Sequence, residues 1–191
     1  MSLRLTVSGI IAESGFPKKA LLVLLLVATS VHTTGAQENR SSVVRLFKLD
    51  GSLGTELPAK TNSADKSEDY GFILRSARLE ADNMSFLTRL RSLVTIANSD
   101  AQRTITEVEW RLDVYDEALH SLSQRVPQTD KVNIYAGETG VASAKFGAVL
   151  PDRMVVLLQL SRVVFADGSA WSPTEQCSLG EDLRTISCKS K

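Results

Sequence analysis

The stretch Leu87–Asp116, LTRLRSLVTIANSDAQRTITEVEWRLDVYD, contains the clearest two-residue alternation in the chain. Apolar side chains at every second position fall on one face of an extended strand, and the charged residues between them fall on the other. This pattern is typical of half-buried antiparallel strands. The residues predicted to form the core of the stretch are Val94, Ile96, Val108, Trp110, Leu112 and Val114.

Asn98-Ser99-Asp100 separates the two alternating runs, and these residue types favour a turn. The stretch is therefore predicted to be a β-hairpin. With a turn near Ala101, Ser92 lies opposite Trp110, and Arg89 lies opposite Asp113 on the outer face. An exposed ion pair contributes about 1 kcal/mol at most, and a large buried side chain contributes about 1.5 to 3 kcal/mol. Burial of the apolar face should therefore decide the register.

The N-terminal region matches a secretory signal peptide. Lys18-Lys19 precede the apolar run Ala20–Ala28, and the small residues Thr34-Gly35-Ala36 follow it. The run is about half as long as the roughly 20 residues that a membrane-spanning helix needs. We predict a signal peptide over residues 1–36 and a secreted or periplasmic chain without stable membrane insertion. The alternative is an uncleaved N-terminal anchor.

The chain has 22 basic and 22 acidic side chains, and its balance stays close to neutral without residues 1–36. A net charge near zero does not steer a protein towards nucleic acid or an anionic membrane. The sequence contains no P-loop and no GxGxxG fingerprint. We expect no nucleic-acid partner and no cofactor.

Composition divides the rest of the chain. Residues 37–58 form an N-terminal segment whose apolar run Val43–Leu49 suggests an edge strand, able to sit apart from the main domain. Residues 59–70 are polar and aperiodic, as in a linker or long loop. We place the main domain at residues 71–173 and a C-terminal tail at residues 174–191.

About seven short strands are predicted within the main domain. They include Phe72–Leu79, the central stretch, and the nearly continuous apolar run Met154–Leu160, which suits a central strand covered on both faces. A tight Asp167-Gly168 turn closes a last hairpin at Trp171, a residue expected to pack on the end of the domain. This pattern predicts an all-β, antiparallel, immunoglobulin-like β-sandwich.

Cys177 and Cys188 both lie in the predicted tail. In an oxidising compartment we expect them to form a disulfide that closes the tail. Neither their spacing nor their surroundings resemble a redox motif, and two cysteines without clustered histidines cannot complete a zinc site.

Residue types suited to catalysis are scarce. His120 is the one histidine outside the predicted signal peptide, with Ser121 and Ser123 beside it, but no GxSxG elbow is present. Glu107, Glu109 and Asp113 alternate with Arg111, which favours a solvated strand face over a carboxylate pair or calcium site. We therefore assign no catalytic or metal-binding residue.

Three short motifs resemble those of FxLYD-type extracytoplasmic modules. The first strand ends at Asn98, the next near Tyr115-Asp116, and a turn follows at Gly137-Glu138 with Ala136 in place of the usual proline. The resemblance covers about sixty residues and implies an immunoglobulin-like module of the bacterial envelope. It implies no catalytic residue.

The sequence therefore predicts an exported, non-enzymatic interaction or structural module whose partner is another envelope or secreted protein. The alternative is an inhibitor or accessory subunit of a secreted hydrolase, with the predicted loop Glu117–Asp130 entering the partner's cleft. A hydrolase that uses His120 is the third and weakest hypothesis.

Overall fold

A computed structural model of the chain describes residues 43–63, 70–84, 87–182 and 184–191, without the side chains of residues 83 and 84. The predicted signal peptide, residues 1–36, lies outside these ranges, as do residues 64–69 of the predicted linker. The described residues contain no helix that is long and apolar enough to cross a membrane.

The described chain is all-β, and its sheets are almost entirely antiparallel. Its twelve strands, in chain order, are β1 (Val44–Asp50), β2 (Gly54–Leu57), β3 (Lys60–Thr61), β4 (Phe72–Met84), β5 (Leu87–Asn98), β6 (Ile105–Tyr115), β7 (Ser121–Ile134), β8 (Thr139–Ala148), β9 (Arg153–Phe165), β10 (Ala170–Trp171), β11 (Glu175–Leu179) and β12 (Thr185–Ser190).

The larger sheet has six strands in the order β2-β1-β9-β6-β7, and β10 also pairs with β9. Strand β9 lies in its interior, and residues 154–160 are all buried. A strand covered on both faces requires a continuous apolar run, which explains MVVLLQL at this place.

A second sheet contains three strands in the order β4-β5-β8 and packs face to face with the larger one. The Trp110 indole Nε1 donates a hydrogen bond of 2.9 Å to the Ser92 hydroxyl and so joins β6 to β5 across the core. The six side chains predicted as core are fully buried: Val94, Ile96, Val108, Trp110, Leu112 and Val114.

The predicted hairpin within Leu87–Asp116 is wrong. Strand β5 pairs with β4 and β8, and β6 pairs with β7 and β9, so the connection between β5 and β6 crosses from one sheet to the other. Alternation requires only that the two apolar faces meet, and face-to-face packing satisfies it as well as pairing within a sheet does. Ser92 and Trp110 therefore touch, but across the core.

The ion pair between Arg89 and Asp113 that this register predicts is also absent from the described structure. Arg91 pairs instead with Glu80 on β4, at 3.7 Å. Asp113 is buried, and its carboxylate accepts a hydrogen bond from the Arg125 backbone N–H on β7. The carboxylate is taken up within the larger sheet, so Arg89 on the other sheet cannot reach it.

The segment Val43–Leu49 does form a strand, but β1 is not an edge strand. It lies between β2 and β9, and Phe47 and Leu49 are buried in the common core. Arg45, also buried, donates a 3.0 Å hydrogen bond to the Leu74 carbonyl, beside a bulge in β4. An apolar strand paired on both sides buries far more surface than one that sits apart.

The predicted C-terminal tail forms a small sheet instead. Strands β11 and β12 pair antiparallel, with the Cys177–Cys188 disulfide across them, and β3 pairs parallel to β12. The described part of the predicted linker therefore contains a short strand, and residues 64–69 lie outside the description. Cys177 and Cys188 are buried, which adds a core that the sequence pattern of the tail did not indicate.

The predicted loop Glu117–Asp130 is mostly a strand. Strand β7 begins at Ser121 and pairs with β6 along its length, so only the short connection from Asp116 to His120 projects beyond the sheet. Polar side chains on a sheet edge produced the loop-like composition.

Candidate functional site

The outer face of the β4-β5-β8 sheet carries charged side chains from all three of its strands. Residues 89, 91, 93 and 95 of β5 alternate with the buried residues of the core and point away from Trp110. We call this surface the open face. Its charged side chains are Arg78, Glu80 and Asp82 on β4, Arg89 and Arg91 on β5, and Lys145 on β8.

A groove of about 270 Å³ lies on the open face. Its charged lining comes from all three strands of the sheet: Glu80, Asp82, Arg89, Arg91 and Lys145. In register, Arg91 stands between Glu80 and Lys145, so cations occupy the β5–β8 side and carboxylates occupy the β4 side. The groove is thus electrically polarised across the strands.

The charges of the groove are unequally paired. Glu80 contacts Arg78 at 3.1 Å and Arg91 at 3.7 Å. Within the described part of the chain, neither Arg89 nor Lys145 forms an ion pair. Two cations of the groove are therefore unpaired among the described residues, and the third, Arg91, has only its 3.7 Å contact with Glu80.

Gly147 lies beside Arg89 as its direct cross-strand partner. A Cβ at position 147 would come within 3.1 Å of a Leu87 methyl carbon. Glycine at this position therefore lets the Leu87 side chain pack close to the backbone of β8.

The C-terminal sheet covers part of the outer face of the larger sheet. The Gln159 side chain on β9 accepts a hydrogen bond from the Cys177 N–H and donates one to the Glu175 carbonyl, both at 3.2 Å. Burial raises the pKa of Tyr115 and lowers that of Arg111 on the same face. The two sheets thus differ, because one outer face is partly covered by protein and the other carries the open groove.

A second concavity, of about 390 Å³, lies at the end of the larger sheet beside β10. Tyr70, Phe165 and Trp171 line it together with Arg103, whose guanidinium stands 4.0 Å above the Phe165 ring. Trp171 is only 4% exposed and packs edge-on against Phe72.

Arg103 in this concavity is already engaged. It contacts the Asp100 carboxylate at 2.6 Å and donates to the Ser169 hydroxyl at 3.2 Å. A buried indole and a guanidinium with fixed partners close the end of the sheet. Trp171 therefore packs on the end of the domain, as its position predicted.

His120 lies on the short connection between β6 and β7, and its side chain is 79% exposed. The imidazole Nδ1 is 3.1 Å from the Asp116 carboxylate, which also accepts the His120 backbone N–H. Among the described residues, no serine hydroxyl bonds to this imidazole, and Ser121 and Ser123 lie on β7. The geometry thus shows a loop turn closed by Asp116.

The acidic residues of β6 are engaged in the larger sheet. Arg162 on β9 stands 3.9 Å from Glu107 and 3.3 Å from Glu109. In the part of the chain that the structure describes, no three His, Cys, Asp or Glu side chains are grouped as metal ligands. This strand face is thus an ion-paired surface.

The alternation in β5 predicts that Arg89 and Arg91 lie on one face. The sequence pattern does not indicate the groove, because Lys145 joins these arginines only through the pairing of β5 with β8. The polar residues of β8 do not by themselves indicate that Lys145 lies next to Arg91.

A scan against models of known protein families and a search of curated proteins found no match to this chain.

Proposed function

We propose that this chain is an exported, non-enzymatic, immunoglobulin-like module of the bacterial cell envelope that binds another envelope or secreted protein. The observation that carries the proposal is the difference between the two outer sheet faces. The C-terminal sheet lies against one of them, and the other presents a polarised groove with two unpaired cations among the described residues. Specific interfaces use such complementary charge to select and orient a partner.

The strand order supports the immunoglobulin-like assignment. One sheet of that fold contains strands A, B, E and D, and the other contains C, F and G, with C′ beside C in variable-type domains. Strands β4, β5 and β8 correspond in order to A, B and E, and no described strand stands beside β8 at the place of D. Strands β6, β7, β9 and β10 correspond to C, C′, F and G, and β1 pairs with the rest of the β9 edge that β10 uses. The buried Trp110 on β6 occupies the place of the core tryptophan on strand C.

Two of the three motifs that resemble FxLYD-type modules, Asn98 and Gly137-Glu138, also meet in space. Asn98 is buried, and its backbone exchanges hydrogen bonds with Gly137 and Glu138, at 3.0 and 2.8 Å. Its side-chain amide donates to the carbonyls of Arg103 and Ile134. A strand-ending asparagine and a Gly-Glu turn thus form one structural unit, which supports the resemblance.

Export is supported by the predicted signal peptide and by the disulfide, since structural disulfides persist in oxidising compartments. The inhibitor alternative loses its long loop, and only the connection from Asp116 to His120 remains to enter a cleft. No contact in the described structure favours that alternative.

The test is site-specific photo-crosslinking in the native cell envelope. The chain is expressed from its complete sequence, so that any N-terminal processing takes place, with a photoreactive residue at Val141. Val141 is 55% exposed and shares the open face with Thr95. The matched control carries the same residue at Ser178, an exposed position on β11.

We expect one dominant protein adduct from Val141 that is absent from Ser178. Equal adducts from both positions, or none from Val141, would contradict a binding role for the open face. An excess of the chain without the photoreactive residue should abolish the adduct, which would show that the binding site on the partner is saturable.

A further inference from the structure

We infer that the open face takes an extended, acidic segment of its partner, with carboxylates at alternate residues that reach Arg89 and Arg91 and a flank that reaches Lys145. This inference rests on the proposed binding function of that face. It adds the chemistry of the partner, which the proposed function leaves open.

The spacing of the two arginines indicates that the partner segment is extended. Arg89 and Arg91 are two residues apart on one strand, so their Cα atoms are about 6.7 Å apart along β5. The same distance separates alternate side chains of any extended peptide. A strand-like segment with an acid at every second position therefore presents a carboxylate to each arginine.

The third cation widens the positive strip. Lys145 is the direct cross-strand partner of Arg91, with Cβ atoms about 5 Å apart. The strip thus spans two strands. An extended segment that runs along β5 keeps its acidic side chains within reach of this strip.

The carboxylates on β4 indicate that the acidic residues of the partner segment alternate with uncharged ones. Glu80 and Asp82 border the groove opposite Lys145 and repel a ligand that is negative throughout. An uninterrupted polyanion would meet them whichever way it lay, but a segment with acids on one side only would not. The groove therefore favours alternating acidity over total negative charge.

The geometry also predicts a dependence on salt. The arginine and lysine side chains are at the surface, with Arg91 48% exposed, so their attraction to carboxylates is screened by added ions. Binding should weaken steadily between about 20 and 300 mM salt.

The experiment compares two peptides of equal composition and charge, ETETETET and EETTEETT, titrated at low salt into the chain expressed as residues 1–191. The first peptide places its carboxylates on one side when extended, and the second does not. We expect the alternating peptide to bind more tightly and to shift the amide resonances of β5 and β8. Equal affinity for both peptides, or shifts elsewhere, would overturn the inference.

The matched variants are Arg89→Ala with Lys145→Ala, and Lys48→Ala with Lys131→Ala. Both pairs remove two exposed positive charges, but Lys48 and Lys131 lie on the larger sheet. The first pair should lower the affinity for the alternating peptide about fivefold or more, and the second should change it less than about twofold. Equal losses would show general charge attraction and would overturn the inference.

The two proposals fail in different ways. If a partner is cross-linked through Val141 and Arg89→Ala with Lys145→Ala leaves its capture unchanged, the binding function stands and the acidic segment is wrong. If the alternating peptide binds as expected and Val141 captures no protein, the acidic specificity stands and the envelope partner is wrong.

Discussion

Asp100 shows how one side chain organises the crossing between the two sheets. Its carboxylate accepts the backbone N–H groups of Gln102 and Arg103, both at 2.8 Å, and the Arg103 Nε at 2.7 Å. Arg103 in turn lies over Phe165 at the end of the larger sheet. The loop after β5 is therefore fastened to the core through one carboxylate.

The same contacts predict how stability depends on pH. The hydrogen bonds from Gln102 and Arg103 hold the pKa of Asp100 at about 2, against an ordinary value of 3.8. A pKa that is lower in the folded state favours folding above the ordinary value, and this contribution is lost as the pH falls towards about 2. Asp100→Asn should therefore destabilise the protein at about pH 6, by an amount that shrinks below about pH 3.

Urea denaturation midpoints across this pH range measure the effect. Asp50→Asn serves as the control, since that side chain is 63% exposed and its substitution should change the midpoint little. A difference between wild type and Asp100→Asn that stays constant with pH would show that the carboxylate charge is not what fastens the loop.

At the scale of secondary-structure elements, Gln159 attaches the C-terminal sheet to the larger sheet. A glutamine within the apolar run of β9 is only 1% exposed, and its amide bonds to the backbone of β11 and to Arg111. The side chain thus forms hydrogen bonds with the backbone of β11, as a neighbouring strand would within a sheet.

Gln159→Leu should loosen β11 while the larger sheet stays folded. The change leaves the buried Cys177 N–H without its partner, at a cost of about 1 to 3 kcal/mol. Hydrogen exchange should become faster at β11 and β12, and stay slow in β6. The fastest exchange should follow when the disulfide is also reduced.

Gln128→Leu provides a matched control for this change. Gln128 is also buried, but its Oε1 accepts no hydrogen bond within the described structure. Removing an unsatisfied polar atom should be neutral or stabilising. If Gln159→Leu leaves hydrogen exchange at β11 unchanged, the paired strands β11 and β12 are held by apolar contacts and the disulfide alone.

At the scale of the whole molecule, β1 makes residues 43–50 part of the main fold. Val44, Leu46, Phe47 and Leu49 are all buried, and β1 pairs with β9 from Arg153 to Gln159. Burial of four such side chains contributes about 6 to 12 kcal/mol, which is comparable to the whole stability of an ordinary domain.

A fragment of residues 71–173, the predicted main domain, should therefore not fold. It lacks β1 and the C-terminal sheet, so β9 would keep β6 on one edge and lose its partner on the other edge from Arg153 to Gln159. Circular dichroism and dispersed amide resonances would distinguish a folded fragment from an unfolded one, with residues 37–191 as the comparison. Cooperative unfolding of the fragment would show that β1 is an accessory strand.

Local pattern by itself determined the class of structure. Alternation identified the strands β5 and β6, and apolar content identified β4 and β9. Alternation also placed Trp110 and its apolar neighbours inside, because side-chain direction in a strand follows from the two-residue repeat. The two cysteines likewise indicated their disulfide, since no other cysteine competes for either.

Only the tertiary structure decided which strands are neighbours. Ser92 meets Trp110 under either arrangement, so alternation could not distinguish a hairpin from two facing sheets. The groove of Arg89, Arg91 and Lys145 depends on the pairing of β5 with β8, which lie far apart along the chain, and the environment of Gln159 depends on the C-terminal sheet. Strand pairing is set by burial summed over the whole molecule, and no short stretch of sequence records that sum.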